Sequence, residues 1–308
     1  MDLESRNQHP LRWKLVAYIV MVGFMALTIG PLIWLGYSSF KPHAEIVRNI
    51  FSLPSLSYPL LPEPEEQGRA GTNTNRSVFN RPFYLVQNYV TAWTRGSLAI
   101  CAFNSVLYSV VTTVISTILA LTTGYGLAKF GYKISGPIYV FFMMGLLLTV
   151  HSILVPLFVM ETKLGIANTR LGVILPYIAF GLPFLVFLGT SFVKGLPAEL
   201  EEAAIIDGAS YLDVFWHVIL PVSQPVVATM AIFRFLGAWN EFAMVFILTS
   251  ETAIRTLPVG INAFAGGLTR DYGTQFAALM IGTLPMIIFY IFFNKQIQEG
   301  FASGALKE

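Results

Sequence analysis

The 308-residue chain has little charge. Asp, Glu, Lys and Arg make up 12% of it, whereas a soluble domain averages about 25%. Hydrophobic residues make up 55%. This composition excludes an ordinary soluble domain and predicts a polytopic membrane protein whose apolar surface is buried partly by the bilayer. The net charge of +2 comes with no basic patch, so it gives no support for nucleic-acid binding.

Cysteine and catalytic motifs are almost absent. The single cysteine, Cys101, excludes a disulfide framework or a cysteine-built metal site in this chain, and we interpret it as a small packed apolar side chain. The sequence has no G-x-x-x-x-G-K-[ST], H-E-x-x-H or G-x-S-x-G. A self-contained ATPase and a membrane-embedded enzyme are therefore disfavoured. We predict no catalytic residue, no metal site and no cofactor bound by the chain itself.

Long apolar runs predict the membrane spans, each of which needs about 20 mostly apolar residues. The first run has no charge between Leu15 and Phe40, which is longer than the apolar core of about 7–15 residues in a cleavable signal. We therefore predict an all-α transmembrane fold, a six-helix polytopic bundle over residues 15–293 with tails at 1–14 and 294–308. The predicted spans are Leu15–Tyr37, Leu98–Leu127, Pro137–Met160, Leu171–Phe192, Pro225–Thr249 and Phe276–Phe293.

Two polar segments, 41–95 and 194–224, separate spans and fall on opposite faces of a six-span chain. Lysine and arginine in the short loops favour a cytoplasmic location for the 194–224 loop and for both termini. The longer segment carries further basic residues but counts less under this rule. We predict a cell-membrane protein in which residues 41–95 are extracytoplasmic, with a polar, weakly ordered insertion near 60–82.

Small residues in the second span predict close helix packing. Ala120, Gly124 and Ala128 recur at four-residue spacing, which places them on one face. Small residues on one face let helix backbones approach each other inside a bilayer.

The 194–224 loop predicts a short acidic helix. Pro197 suits the first helical position, and the carboxylates of Glu199, Glu201 and Glu202 suit a helix N-terminus. Gly208 is typical of a helix end. The acidic first turn would be repelled by anionic lipid headgroups, so docking into another protein is favoured over lying on the membrane.

A second short helix follows in the same loop. Ser210 and Asp213 have the spacing of a capping box, and Pro221 and Pro225 end the helix. An apolar stripe in an aqueous loop needs a protein partner to bury it. The predicted stripe consists of Leu212, Phe215, Trp216 and Ile219.

The same loop carries a family resemblance. Glu202-Ala203-Ala204, then Gly208 after three residues, then Val218-Ile219-Leu220-Pro221 after nine, resembles the EAA loop of ABC-type importer permeases. Val218 stands where that family usually has isoleucine. The chain is similar to the carbohydrate (maltose-type) family, and to the shorter permease of the pair. Further matches are Trp239-Asn240-Glu241-Phe242, Arg255-Thr256-Leu257-Pro258-Val259-Gly260 and the ending at residues 300–307.

This resemblance implies that the 194–224 loop is a coupling helix pair that inserts into a cleft of an ATPase subunit. It implies four kinds of partner: a second homologous permease, an ATPase dimer that binds ATP and Mg, an extracytoplasmic solute-binding protein, and a sugar. The residues expected to dock on the ATPase or to couple its motion are Glu201, Glu202, Ala203, Ala204, Asp207, Gly208, Leu212, Phe215 and Pro221.

The expected function is ATP-driven import of a di- or oligosaccharide, with this chain as a permease and not as an enzyme. Import of another small solute, such as a polyol or a glycerol phosphate, remains open. An ion-coupled secondary transporter is a poorer alternative. It needs carboxylates or discontinuous helices around an ion site near the midplane, whereas Glu241 is the only obvious candidate carboxylate and the six predicted spans show no repeat.

Three polar residues, Arg234, Asn240 and Glu241, fall inside the predicted fifth span. Each charge there costs about 2.5–3.5 kcal/mol at a helix centre on insertion scales. Arg234 and Glu241 share a face but lie about 10.5 Å apart along a helix, so we predict a separate partner for each. The three either line a translocation path and bind sugar hydroxyls, or anchor helices to one another.

Overall fold

The computed structural model describes residues 11–54, 81–264 and 271–305, and within these ranges it contains helices and no strand. The α-helices in chain order are α1 (Leu11–Ser38), α2 (His43–Arg48), α3 (Arg81–Arg95), α4 (Leu98–Lys129), α5 (Ser135–Gly145), α6 (Val150–Leu164), α7 (Arg170–Lys194), α8 (Glu199–Ile206), α9 (Tyr211–Val214), α10 (Leu220–Val222), α11 (Gln224–Asn240), α12 (Ala243–Leu248), α13 (Leu257–Asn262) and α14 (Tyr272–Ala305). A π-helical turn (Phe215–Ile219) and a 3-10 turn (Thr252–Ile254) complete the described elements.

The chain divides into two compact units. The first comprises Met1–Arg95 and Phe264–Ile281, and the second Gly96–Ala263 and Gly282–Glu308. The predicted insertion near 60–82 lies outside the described residues up to position 80. The 41–95 segment is not loop throughout, because it contains α2 and α3. The tail predicted at 294–308 is helical as far as Ala305.

In the first unit, a buried lysine organises the chain after α1. Lys41 is fully buried and its Nζ donates to the backbone oxygens of Asn49 (3.3 Å) and Ile50 (3.2 Å). Burial lowers the pKa of Lys41. Asn88 of α3 donates to the backbone oxygen of Lys41 at 2.8 Å. These bonds hold the segment after α1 against α3.

In the second unit, α4 packs along α7 at very short range. A Cβ added to Gly124 would lie 2.7 Å from the backbone nitrogen of Thr190, and Gly189 faces the backbone oxygen of Ala120. Two of the three small residues predicted to allow close packing, Ala120 and Gly124, therefore do so. Cys101 is buried, with its Sγ directly beneath Gly260, which agrees with its interpretation as a packed side chain.

The spans are less regular than predicted. Four helices are long and apolar enough to cross a membrane, and two bent helix pairs bring the number among the described residues to as many as six. The third predicted span is one such pair: α5 and α6 meet at 101°. The predicted fifth span does not run to Thr249 as one helix, because α11 ends at Asn240 and Glu241 is extended (φ −69°, ψ 126°). Hydropathy alone does not place such breaks. Residues 146–149 are mostly apolar, and the polar Asn240 and Glu241 stand between apolar runs that outweigh them over the length of a span.

Candidate coupling surface

The acidic helix α8 ends at a glycine, as predicted. Gly208 has φ +89°, a left-handed conformation that side chains with a Cβ rarely adopt. The backbone nitrogen of Gly208 donates to the oxygen of Ile205, and that of Ala209 to the oxygen of Ala204, both at 3.0 Å. These bonds satisfy carbonyls that the helix end leaves without intrahelical partners. Gly208 therefore sets the angle between the two helices of the loop.

The second helix starts with the predicted capping box. The Asp213 backbone nitrogen donates to Ser210 Oγ (3.3 Å), and the Ser210 backbone nitrogen donates to Asp213 Oδ2 (3.1 Å). A further bond from the Ser210 hydroxyl lowers the pKa of Asp213. The helix changes character after α9, where Phe215–Ile219 form the π-helical turn, and α10 then leads into α11 at Ser223.

The single apolar stripe predicted for this helix is wrong. Phe215 and Ile219 are buried (3% and 1% exposed), whereas Leu212 and Trp216 are 69% and 49% exposed. The π-helical turn is wider than an α-helical turn and therefore changes the angular spacing of the side chains. Of the four predicted residues, only Phe215 and Ile219 then face α4 and α7. Half of the predicted stripe packs inward and the other half stays on the surface.

The buried half fastens the helix pair to the ends of α4 and α7. Phe215 and Ile219 belong to one apolar cluster with Leu121 and Tyr125 of α4 and Val193 of α7. The Phe215 and Tyr125 rings lie 5.7 Å apart. Phe215, which was predicted to dock on the ATPase or to couple its motion, therefore packs inside the chain.

Glu201, which was predicted to dock on the ATPase or to couple its motion, also faces inward. Its Oε1 accepts a hydrogen bond from the Tyr125 hydroxyl at 3.0 Å, and its Oε2 lies 3.7 Å from Lys129 Nζ. The side chains of Glu201 and Lys129 are only 13% and 14% exposed. Lys129 also donates to the backbone oxygen of Leu196. Sequence reasoning missed Tyr125 and Lys129, because nothing in the sequence links α4 to the loop about 70 residues later.

The remaining predicted coupling residues lie on the surface, except for Ala204, which is half-buried. Next to them is Ile206, which is 84% exposed and which sequence reasoning did not single out. We call the following exposed residues the docking face: Glu202, Ala203, Ile206, Asp207, Gly208, Leu212, Trp216 and Pro221.

Two residues of the second predicted set, Arg234 and Glu241, converge on one tyrosine. Arg234 Nη2 donates to the Tyr177 backbone oxygen at 2.6 Å, and the Tyr177 hydroxyl donates to Glu241 Oε2 at 3.4 Å. The guanidinium carbon lies 5.6 Å from the Tyr177 ring centre. A Cβ added to Gly181 would lie 2.6 Å from Arg234 Nε, so this glycine leaves room for the arginine. The prediction of separate partners is wrong in part, because both residues contact Tyr177 of α7, Arg234 through its backbone oxygen and ring and Glu241 through its hydroxyl.

Glu241 has a local structural task as well. Its carboxylate accepts from the Met244 backbone nitrogen at 3.0 and 3.2 Å, so it caps the short helix α12 at the break after α11. Asn240 is exposed, and its side chain donates to the backbone oxygen of Leu236. Arg234 and Glu241 thus anchor helices within this chain. Contact of the three residues with a transported molecule stays a prediction.

Comparison with known proteins identifies the family. Residues 99–299 match the family described as binding-protein-dependent transport system inner membrane component. The chain belongs to this family. The predicted resemblance to ABC-type sugar importer permeases is confirmed, and the EAA loop and coupling helix are typical of the family.

Two relatives align over nearly their whole length. The diacetylchitobiose uptake system permease protein NgcG of Streptomyces coelicolor is 31% identical over 96% of this chain and 90% of that protein. The arabinooligosaccharides transport system permease protein AraQ of Halalkalibacterium halodurans is 28% identical over 99% of this chain and all of that protein (100%).

A solved structure shares the fold. The crystal structure of a bacterial ABC transporter involved in the import of the acidic polysaccharide alginate contains a chain with a TM-score of 0.74 and 18% identity, covering 96% of this chain and 99% of that one. The family and the long apolar helices together make this chain a multi-pass permease of the inner membrane.

Proposed function

We propose that this permease imports a di- or oligosaccharide at the expense of ATP hydrolysed by a partner ATPase, and that residues 199–222 form its coupling element. The observation that carries the proposal is the docking face. Ile206 and Leu212 are 84% and 69% exposed beside the carboxylates of Glu202 and Asp207. Exposed apolar residues rimmed by charge mark a protein contact rather than a solvated loop. A groove in another protein that takes up this helix pair would bury them.

The mechanism is a coupling between two sites. ATP and Mg bind in an ATPase dimer, whose closure pulls on the docked helix pairs of this chain and of a second homologous permease. The spans then move as rigid bodies, and a central cavity opens alternately to each side of the membrane. An extracytoplasmic solute-binding protein delivers the sugar. In this arrangement both termini and the helix pair are cytoplasmic, and residues 41–95 are extracytoplasmic.

The substrate class rests on the relatives. NgcG and AraQ are described as permease proteins of a diacetylchitobiose uptake system and of an arabinooligosaccharides transport system. Arg234, Asn240 and Glu241 are the candidates for a translocation path. Asn240 is exposed and its amide can bond sugar hydroxyls, whereas Arg234 and Glu241 already bond to Tyr177.

The test is purification of the complex from its native membrane, followed by ATP hydrolysis in proteoliposomes with a panel of oligosaccharides, polyols and glycerol phosphates. We expect a copurifying ATPase and stimulation by one oligosaccharide in the presence of its binding protein. Glu202→Ala is expected to weaken binding of the ATPase. Accumulation of solute that follows an ion gradient and needs no ATP would contradict the proposal, and stimulation by a polyol alone would reassign the substrate.

A further inference from the structure

The helix α4 holds another segment at each end. Near one end, Asn104 Nδ2 donates to the backbone oxygens of Ala253 (2.8 Å) and Arg255 (3.1 Å). One turn further on, the Tyr108 hydroxyl donates to the oxygen of Ile254 at 3.0 Å. Three carbonyls of the segment between α12 and α13 are therefore bound by side chains of α4. In the proposed orientation this is the extracytoplasmic end.

The other end of α4 holds the coupling element. Tyr125 and Lys129 lie one turn apart and both contact the carboxylate of Glu201, the hydroxyl at 3.0 Å and the ammonium at 3.7 Å. Tyr125 is 3% exposed, so the hydrogen bond is sheltered from water. A charge-assisted bond in such surroundings is stronger than one on an open surface. Glu202, the next residue, points outward instead.

Between these contacts, α4 is an uninterrupted helix of 32 residues without an internal proline. The interval from Asn104 to Tyr125 spans about 32 Å at 1.5 Å per residue. Close packing of Gly124 and Gly189 against the facing backbones stiffens α4 along α7. A helix supported in this way transmits displacement along its length, because close-packed interiors have low compressibility.

We propose that Tyr125 and Lys129 are positioning residues that lock α8 to α4 through Glu201, so that a displacement of the helix pair reaches the segment 253–257 at the far end of α4. This inference rests on the proposed function, and it goes further by naming the contact through which the ATPase acts. The docking face determines whether the ATPase binds. The contact between Glu201 and α4 determines how much of each ATP-driven displacement of the helix pair is passed on to the spans.

The experiment compares docking with coupling in the complete complex. Tyr125→Phe keeps the aromatic packing with Phe215 but removes the hydroxyl, and Glu201→Gln keeps the shape but removes the charge. We expect both variants to bind the ATPase with wild-type affinity and to continue hydrolysing ATP, while the sugar transported per ATP falls about fivefold. The double variant Lys129→Glu, Glu201→Lys restores a pair of opposite charges. It is expected to recover much of the wild-type ratio of sugar transported per ATP hydrolysed.

Two matched controls come from the same region. Tyr132→Phe removes a hydroxyl from a tyrosine that is 66% exposed, and Glu199→Gln neutralises an exposed carboxylate in the same helical turn as Glu201. Both are expected to keep the wild-type ratio of sugar to ATP.

The outcomes separate failure of the inference about Glu201 from failure of the proposed transport function. If Tyr125→Phe and Glu201→Gln lower assembly, hydrolysis and transport in parallel, leaving the ratio unchanged, the residues are merely structural and the inference is overturned. Wild-type ratios in both variants overturn it as well. Failure of the wild-type complex to hydrolyse ATP in response to a sugar is a different result, because it removes the proposed function together with everything built on it.

Discussion

Replacing Gly208 tests whether the angle between α8 and α9 controls docking of the ATPase. The residue has φ +89°, and a Cβ built there meets no atom within 4 Å. Gly208→Ala therefore creates no clash, and its cost is the backbone strain of a left-handed residue, about 1–2 kcal/mol. If the docked geometry needs this backbone angle, the strain lowers affinity for the ATPase by about 5- to 30-fold.

Asparagine separates strain from volume at this position. It is larger than alanine but adopts left-handed conformations more readily. Gly208→Asn is therefore expected to bind the ATPase better than Gly208→Ala. Aspartate tolerates left-handed conformations about as well as asparagine does. Comparing Gly208→Asp with Gly208→Asn therefore tests the effect of an added negative charge on the docking face.

The assay is titration of detergent-purified permease with fluorescently labelled ATPase subunit, followed by uncoupling measurements in proteoliposomes. Gly165→Ala is the matched control, since Gly165 also has a positive φ (+70°) and open space around its Cβ but joins α6 to α7. It is expected to lower thermal stability without changing ATPase affinity. Equal affinities for Gly208→Ala and wild type, or an equal loss with Gly165→Ala, would refute the reasoning.

Two further predictions concern stability. Gly124→Ala is expected to destabilise the detergent-purified protein by about 1–3 kcal/mol, because the added Cβ would lie 2.7 Å from the backbone nitrogen of Thr190. A thermal melt measures the loss. Gly126→Ala is the control, since the nearest atom to its added Cβ belongs to the flexible ring of Phe130, at 3.8 Å. Asp213→Asn is expected to speed amide exchange in residues 210–222 at neutral pH. The capping bonds lower the pKa of Asp213 in the folded state. The contribution of its carboxylate to stability is therefore present above the ordinary pKa and is lost as the pH falls through the lowered value. The amide exchange rates of wild type and variant should accordingly converge in acid.

Much of the 194–224 loop could be predicted because its determinants are local. A glycine at a left-handed position, a serine and an aspartate three residues apart, and acidic residues in a first turn act within a few residues of themselves. The same holds for the small residues of α4, whose spacing places them on one face whatever they pack against. These features appear in the structure where the sequence predicted them.

The inward and outward faces of the loop could not be predicted in the same way. Leu212 and Phe215 look alike on a helical projection, yet one is exposed and the other is buried beneath Tyr125. Glu201 and Glu202 are chemically identical neighbours, and the positions of Tyr125 and Lys129 distinguish them. Their different environments depend on residues far away in the chain.

The sequence by itself determined that this chain crosses a membrane, where most of its apolar helices lie, and which loop carries the short acidic helix pair, because hydropathy and helix capping depend on short stretches of chain. The likeness to importer permeases came from the EAA-loop residues themselves. Only the tertiary structure decided that α11 ends before Glu241, that Arg234 and Glu241 both reach Tyr177, and that Glu201 contacts α4 instead of lying on the docking face. Those outcomes depend on which backbones approach each other closely. Packing between distant segments selects one partner among several that are locally equivalent.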